Sequence, residues 1–122
     1  MRYAVLDTNF ILSCIGKKID FFNEIKFMGF VIIIPNEVLR EIKQLSESGG
    51  RKAKEESKIA LNILEKNNFE KIALNSKNVD NGIVKIAKEN KEYIIATLDR
   101  EIKNKIKNSK LVIRGDKKLE II

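Results

Sequence analysis

The chain has 122 residues, 43% of them hydrophobic and 34% charged, with a formal net charge of +7. That length supports a single compact domain, residues 1–122, and the composition is that of a folded, soluble protein. A single cysteine, Cys14, excludes an intrachain disulfide and a Cys-rich metal knuckle, while the lack of histidine excludes Ser-His-Asp and Cys-His catalysis and imidazole zinc sites.

The first predicted element is the apolar run Tyr3–Leu6, which ends in Asp7-Thr8-Asn9. An unbroken apolar run of this length reads as a strand buried on both faces of a parallel sheet. Phe10, Ile11 and Cys14 recur at roughly helical spacing, so a short helix follows until Gly16-Lys17-Lys18; Cys14 reads as a small core residue. Apolar positions 19, 21, 22, 25 and 28 predict an amphipathic helix over Ile19–Met28, with Asp20 at its start and Gly29 ending it. Val31–Ile34 is a second buried strand, stopped by Pro35, the only proline. A third helix opens at Pro35 or Asn36 and buries Val38, Leu39, Ile42 and Leu45. Ser46–Gly50 reads as a polar turn, followed by a long Lys/Glu-rich helix, Arg51–Asn67, burying Ile59, Ala60, Ile63 and Leu64.

Phe69–Leu74 is a short strand or extended segment, Asn75–Asn78 a turn, and Val79–Glu89 a helix with Ile83, Val84 and Ala87 inward. Tyr93–Leu98 repeats the opening pattern, an apolar strand that runs into Asp99. A helix from Arg100 to Lys107, a strand at Leu111–Ile113, a turn at Arg114–Lys117 and a closing Leu119–Ile122 segment complete the chain. The aromatic residues Phe21, Phe22, Phe27, Phe30 and Tyr93 mostly fall on core positions and are not read as base-stacking platforms. Alternating strands and helices predict an α/β fold: a three-layer α/β/α sandwich around a mainly parallel central sheet. Asp7 interrupts the N-terminal apolar segment too early for a secretory signal, and Phe30–Ile34 falls far short of the ~20 residues that span a bilayer. The expected location is cytoplasmic, with no membrane partner.

Four acidic residues stand out by position. Asp7 and Asp99 terminate buried strands, where open α/β sheets place their ligands. Glu41 lies in the helix after the second strand, and Asp80 in the first turn of the helix before the Tyr93 strand. Asp7, Glu41 and Asp99 can share one rim of the sheet, joined by Asp80 if its helix starts at that end. Two unit charges about 4 Å apart repel by about 4 kcal/mol at an effective dielectric of about 20, so such a cluster requires a proton, a basic side chain or a divalent cation. All-oxygen ligation favours Mg²⁺ or Mn²⁺. Such ions lower the pKa of a bound water and stabilise charge on a phosphodiester. Taken singly, the same residues have ordinary alternatives as helix caps (Asp7, Asp99), a helix-start charge (Asp80) or a solvated helix charge (Glu41).

Asp7-Thr8-Asn9 after an N-terminal strand, Val38-Leu39-Arg40-Glu41-Ile42 after a proline, Asp80 at a helix start and Ala96–Glu101 at a strand end together resemble the PIN domain, in the right order over nearly the whole chain. PIN domains are Mg²⁺- or Mn²⁺-dependent ribonucleases with a parallel sheet flanked by helices. The resemblance implies that Asp7, Glu41, Asp80 and Asp99 are the catalytic metal ligands, that Thr8, Asn9 and Thr97 orient a carboxylate or water, and that RNA is the substrate; the lysines of the chain are read as tracking a single strand of it. Glu101 stands where some members have a further aspartate, and Asn81 where many have a second acidic residue. Both departures leave a second metal in question and motivate the alternative of a catalytically inert RNA-binding or scaffold domain. Two family subtypes compete: VapC-like toxins, which pair with an antitoxin, and nucleases of ribosomal RNA processing, which would work with ribosome-assembly partners. The stretch Ala96–Lys103 looks closer to the second. A homodimer is implied by the family, with Ile19–Met28 and Val38–Leu45 as candidate surfaces.

Basic residues add candidate substrate contacts: Arg51 and Lys52 at a helix start, where free N–H groups suit phosphate, and Arg100 and Lys103 beside Asp99. Lys105, Lys107 and Lys110 add charge behind them. A phosphoacceptor domain of receiver type would want a second acid beside Asp7 and a lysine ending a late strand; Thr8 and Asp99 occupy those places.

Overall fold

A computed structural model describes all residues, 1–122. The six strands are β1 (Arg2–Leu6), β2 (Phe30–Pro35), β3 (Glu70–Ile72), β4 (Ile94–Ala96), β5 (Lys110–Arg114) and β6 (Lys118–Ile121). They form one sheet in the order β3-β2-β1-β4-β5-β6, parallel except for β6, which pairs antiparallel with β5. The helices are α1 (Thr8–Gly16), α2 (Phe21–Phe27), α3 (Asn36–Ser48), α4 (Arg51–Glu65), α5 (Val79–Glu89) and α6 (Arg100–Lys105).

The apolar runs read as doubly buried strands divide their side chains between two cores, as period-two alternation requires. Ala4 and Leu6, Ile32 and Ile34, and Ile94 and Ala96 join Phe10, Phe21, Phe22, Ile25, Ile42 and Ala60 beneath α1–α4. Val5, Ile33 and Ile95 point the other way, onto Ile83, Ala87, Ile102 and Ile106 of the α5–α6 side. The sheet is therefore the middle of three layers, as the sequence predicts. Cys14 is buried, its thiol pushed up to about 12 by burial, and takes the inert core role expected of it. No helix is long and apolar enough to cross a membrane.

The strand order sets the location of the rim that matters. From β1 the chain moves outward through β2 to β3, then returns across β1 to lay down β4 and β5. The direction of winding reverses between β1 and β4, and a doubly wound sheet opens a crevice at the carboxyl ends of two such strands.

Several boundaries differ from expectation, each for a local reason. Helix α3 continues through Ser46–Ser48, because Ser46 is buried and donates its hydroxyl to the Lys43 carbonyl at 2.6 Å; only Gly49-Gly50 turns. Strand β4 ends at Ala96, since Thr97 and Asp99 are committed to side-chain bonds at the rim. Helix α6 stops at Lys105, and Ile106 is extended. Helix α2 is only seven residues long, and the chain leaves it through Met28 and Gly29, whose φ of +92° suits glycine. Its phase buries Phe21, Phe22 and Ile25 and leaves Phe27 94% exposed, so Phe27 is not a core residue. Ile59 is also exposed, because the inward stripe of α4 runs through Ser57, Ala60 and Leu64.

These assignments predict unequal costs for two neighbouring phenylalanines. Phe22→Ala should destabilise by about 3–5 kcal/mol through loss of buried area and a cavity, whereas Phe27→Ala should stay within about 0.5 kcal/mol of the parent. Urea unfolding of the two variants measures the contrast.

Candidate active site

Pairing of β1 with β4 sets Leu6 beside Ala96, and the Asp7 N–H donates to the Ala96 carbonyl at 3.1 Å. The two strand ends are thereby fastened side by side. Asp7 is also the N-cap of α1: its Oδ1 accepts from the Phe10 N–H at 2.7 Å, while Oδ2 accepts from the Thr97 hydroxyl. The capping role and the rim position thus belong to one carboxylate. Thr97 is fully buried, and its oxygen accepts the Asp99 N–H at 3.1 Å, so one hydroxyl joins the two strand-end aspartates. Asp99 in turn caps α6 through the Glu101 N–H at 2.8 Å.

Asp80 arrives at the same rim because α5 starts there. Glu37, in the first turn of α3, accepts the backbone N–H groups of Leu74 and Asn75 at 3.0 and 3.1 Å. Burial pushes Glu37 up, but those N–H groups, its own backbone N–H and Arg40 outweigh it and hold the carboxyl below its ordinary value. Asn75 takes a φ of +53° in this anchored turn, and the side chain of Asn78 caps α5 by accepting the Asn81 N–H at 3.0 Å. Gly82 lets the start of α5 sit directly on Leu74: an added Cβ would lie 2.8 Å from the Leu74 Cβ. The sequence reading missed Glu37, whose signal is only a carboxylate in a helix first turn.

Asp7, Glu41, Asp80 and Asp99, with Thr8 and Asn9, surround a cavity of about 240 Å³ closed on its apolar side by Leu45 and Val79. The depth is graded. Asp7 is buried, Asp99 half-buried, and Asp80 and Glu41 sit at the mouth. In a chain with 24 lysines and arginines, none of these four carboxylates lies in an ion pair. Burial raises Asp7 to about 6, against the Thr97 and Phe10 hydrogen bonds that lower it, with Asp80 and Asp99 adding repulsion. Asp80 is raised by burial, by the charges of Asp99, Glu41 and Glu101, and by a hydrogen bond with Asp99. The buried Thr8 hydroxyl has no partner.

These donors fit a hard divalent cation: all are oxygens, they repel one another unless neutralised, and an unpartnered hydroxyl sits among them. No three carboxylates close into a ready-made ligand cage. Of the supporting residues read from sequence, Thr97 is buried between the aspartates, Thr8 and Asn9 line the cavity, and Glu101 stands outside it, exposed. Of the basic residues, Lys52 lines a neighbouring cavity that shares Asn9 with this one. Arg51 is 95% exposed and faces Glu55 at 3.7 Å, Arg100 is exposed on α6, and Lys103 is half-buried there.

Comparison with known proteins agrees with this architecture. A family model described as a PIN like domain matches residues 4–115. The chain is 32% identical to Ribonuclease VapC4 of Methanocaldococcus jannaschii, over 99% of this chain and 97% of that protein. It is 30% identical to the rRNA-processing protein fcf1 of Schizosaccharomyces pombe over 86% of this chain, and spans 53% of that longer protein. Among solved structures it resembles the PIN domain endonuclease Utp24, with a TM-score of 0.78 and 26% identity over 98% of this chain and 90% of the other. A VapBC2 structure from Rickettsia felis, 18% identical with a TM-score of 0.56 over 88% and 98% of the chains, shares the fold. With nearly its whole length matched by the family model and by an almost equally long ribonuclease, the chain belongs to the PIN-like domain family of nucleases.

Proposed function

We propose that the protein is a Mg²⁺- or Mn²⁺-dependent endoribonuclease that hydrolyses single-stranded RNA at the carboxylate cavity. The observation carrying this reading is the convergence of Asp7, Glu41, Asp80 and Asp99, from four separate segments, on one cavity where the winding of the sheet reverses. Asp7, Asp80, Asp99 and Glu41 would hold the cation. When bound, the ion supplies a water of lowered pKa and offsets the charge of the phosphodiester. Thr97 holds the Asp7 carboxylate in place and, through the Asp99 N–H, fixes the second aspartate relative to it. Leu45 and Val79 give the cavity one apolar wall. With no histidine in the chain, proton transfer falls to carboxylates and water. Arg100, Lys103, Arg51 and Lys52 would steer the RNA backbone.

As to role, similarity to the rRNA-processing protein fcf1 and to the Utp24 endonuclease supports ribosomal RNA processing. The near-full-length match to Ribonuclease VapC4 supports a toxin with an antitoxin partner as the second reading. Overexpression separates them: a processing enzyme leaves host growth unaffected, and a toxin arrests growth unless its partner is co-expressed.

Cleavage of labelled single-stranded RNA should require added Mn²⁺ or Mg²⁺ and stop in EDTA. Asp7→Asn should lower the rate by at least about a hundredfold, by analogy with removal of one preorganised electrostatic group. Cleavage by the variant equal to that of the parent would overturn the assignment. Retained RNA binding with no cleavage by the parent under any divalent ion would favour an inert RNA-binding domain.

Asp7 also predicts an unusual pH dependence. Its folded pKa of about 6 lies above the ordinary 3.8, so the fold favours the protonated acid. This contribution is complete below the ordinary value and is lost as pH rises through 6, a difference of about 3 kcal/mol between the two ends. In metal-free buffer at about pH 8, Asp7→Asn should therefore be more stable than the parent by about 1–3 kcal/mol. The gain should vanish near pH 4. Urea melts of both proteins across that range measure the difference, and a parent that outlasts the variant at high pH would contradict it.

A further inference from the structure

A second charged cavity lies at the opposite end of α5 and α6. Both helices begin at the carboxylate rim, with Asp80 and Asp99, and run down the sheet face. From Asp80 to Lys88 is eight residues, about 12 Å of helix. There Lys88, Lys91, Lys105 and Lys107 line a cavity of about 340 Å³ with Asn108 as its only other wall. Asn108 is buried, and the two N–H groups of its amide are shared among the carbonyls of Ala87, Asn90 and Tyr93 at 3.0, 3.0 and 2.9 Å. It ties the end of α5 to the segment after α6, so the two lysine pairs are held against a common floor.

Four ammonium groups around one hollow repel, and no carboxylate lies within ion-pair distance of any of them. Lysines near helix C-termini complement the helix dipole, which accounts for Lys88 and Lys105. It does not account for Lys91 and Lys107, which lie outside the helices. A concave, uniformly positive hollow has the chemistry of a phosphate site, and lysine, a compact point charge on a flexible stem, contacts phosphates without reading sequence. A protein partner would need an apolar centre to its interface, and no apolar residue lines this cavity.

We infer that the cavity lined by Lys88, Lys91, Lys105 and Lys107 is an exosite for the phosphodiester backbone of single-stranded RNA. It engages a part of the strand remote from the carboxylate cavity and sets a preference for long over short substrates. The inference rests on the nuclease reading for the identity of the polyanion, but its test does not depend on cleavage.

The test is equilibrium binding without divalent metal, by fluorescence anisotropy across a salt series. It uses a long labelled single strand and a trinucleotide. The cleft variant is Lys88→Gln/Lys91→Gln/Lys105→Gln/Lys107→Gln, and an equal loss of charge elsewhere, Lys26→Gln/Lys58→Gln/Lys66→Gln/Lys71→Gln, is the control. Circular dichroism confirms that both fold. Each lost phosphate contact lowers the slope of log affinity against log salt by about 0.7, so the cleft variant should lose roughly 2–3 from the slope and roughly tenfold or more in affinity for the long strand. Trinucleotide binding should not change, and the control should keep most of the slope. An unchanged slope in the cleft variant, or an equal loss in both variants, would overturn the exosite. So would polyglutamate displacing the long strand as well as polyphosphate does, which would assign the cleft to an acidic polypeptide. Binding that behaves as expected in a protein that never cleaves RNA would leave the exosite standing and remove the nuclease reading alone.

Discussion

Everything at the carboxylate cavity depends on the pairing of β1 with β4. Neither strand is adjacent to the other in sequence, yet the Asp7 N–H bonds to Ala96 and the Thr97 hydroxyl bonds to Asp7. That fastening occurs where the chain stops building the sheet outward in one direction and begins building it in the other. At such a reversal the connections leave on opposite sides, and the strand ends stay open between them. Two aspartates placed there meet at the mouth of a crevice, and α3 and α5 bring Glu41 and Asp80 to its edges.

The electrostatic consequence is a concentration of negative charge that the rest of the protein does nothing to neutralise. Local hydrogen bonds hold each aspartate in place without supplying a positive charge: Phe10 and Thr97 for Asp7, and Glu101 for Asp99. Burial wins over those bonds at Asp7 and pushes its carboxyl up to about 6. A site in that state takes up a proton or a cation readily. On the far side of α5 and α6 the reverse holds, with four lysines and no partner. A chain with net charge +7 thus gathers its acid and its base in two separate hollows, one at the start of α5 and α6 and one at their far end.

Much of this was legible from residues alone. Apolar runs too continuous for a one-sided strand marked β1, β2 and β4, and the aspartates following β1 and β4 marked the rim, because a parallel sheet directs its strand ends to one side. Convergence of Glu41 and Asp80 was conditional on where α3 and α5 begin, which depends on contacts distant in sequence. Glu37 anchors the turn before α5 from 37 residues away, and Asn108 joins the ends of two helices; neither carries a periodic signal. Phe27 and Ile59 misled for a related reason. In a seven-residue helix such as α2 one step of phase moves a side chain from core to solvent, and in α4 the buried stripe passes through Ser57, which hydrophobicity does not count. The lysine cavity was half visible, since Lys105 and Lys107 were noted as charge behind Asp99, but only the packing of α5 against α6 adds Lys88 and Lys91.

The central claim is that the four carboxylates form one cation site. A crystal of the protein soaked in Mn²⁺, with data collected at a wavelength where manganese scatters anomalously, tests it directly. The account predicts an anomalous peak inside the cavity bounded by Asp7, Glu41, Asp80 and Asp99, absent from crystals of Asp7→Asn. Well-occupied Mn²⁺ elsewhere on the surface with none in that cavity, or the same peak undiminished in the variant, would contradict it.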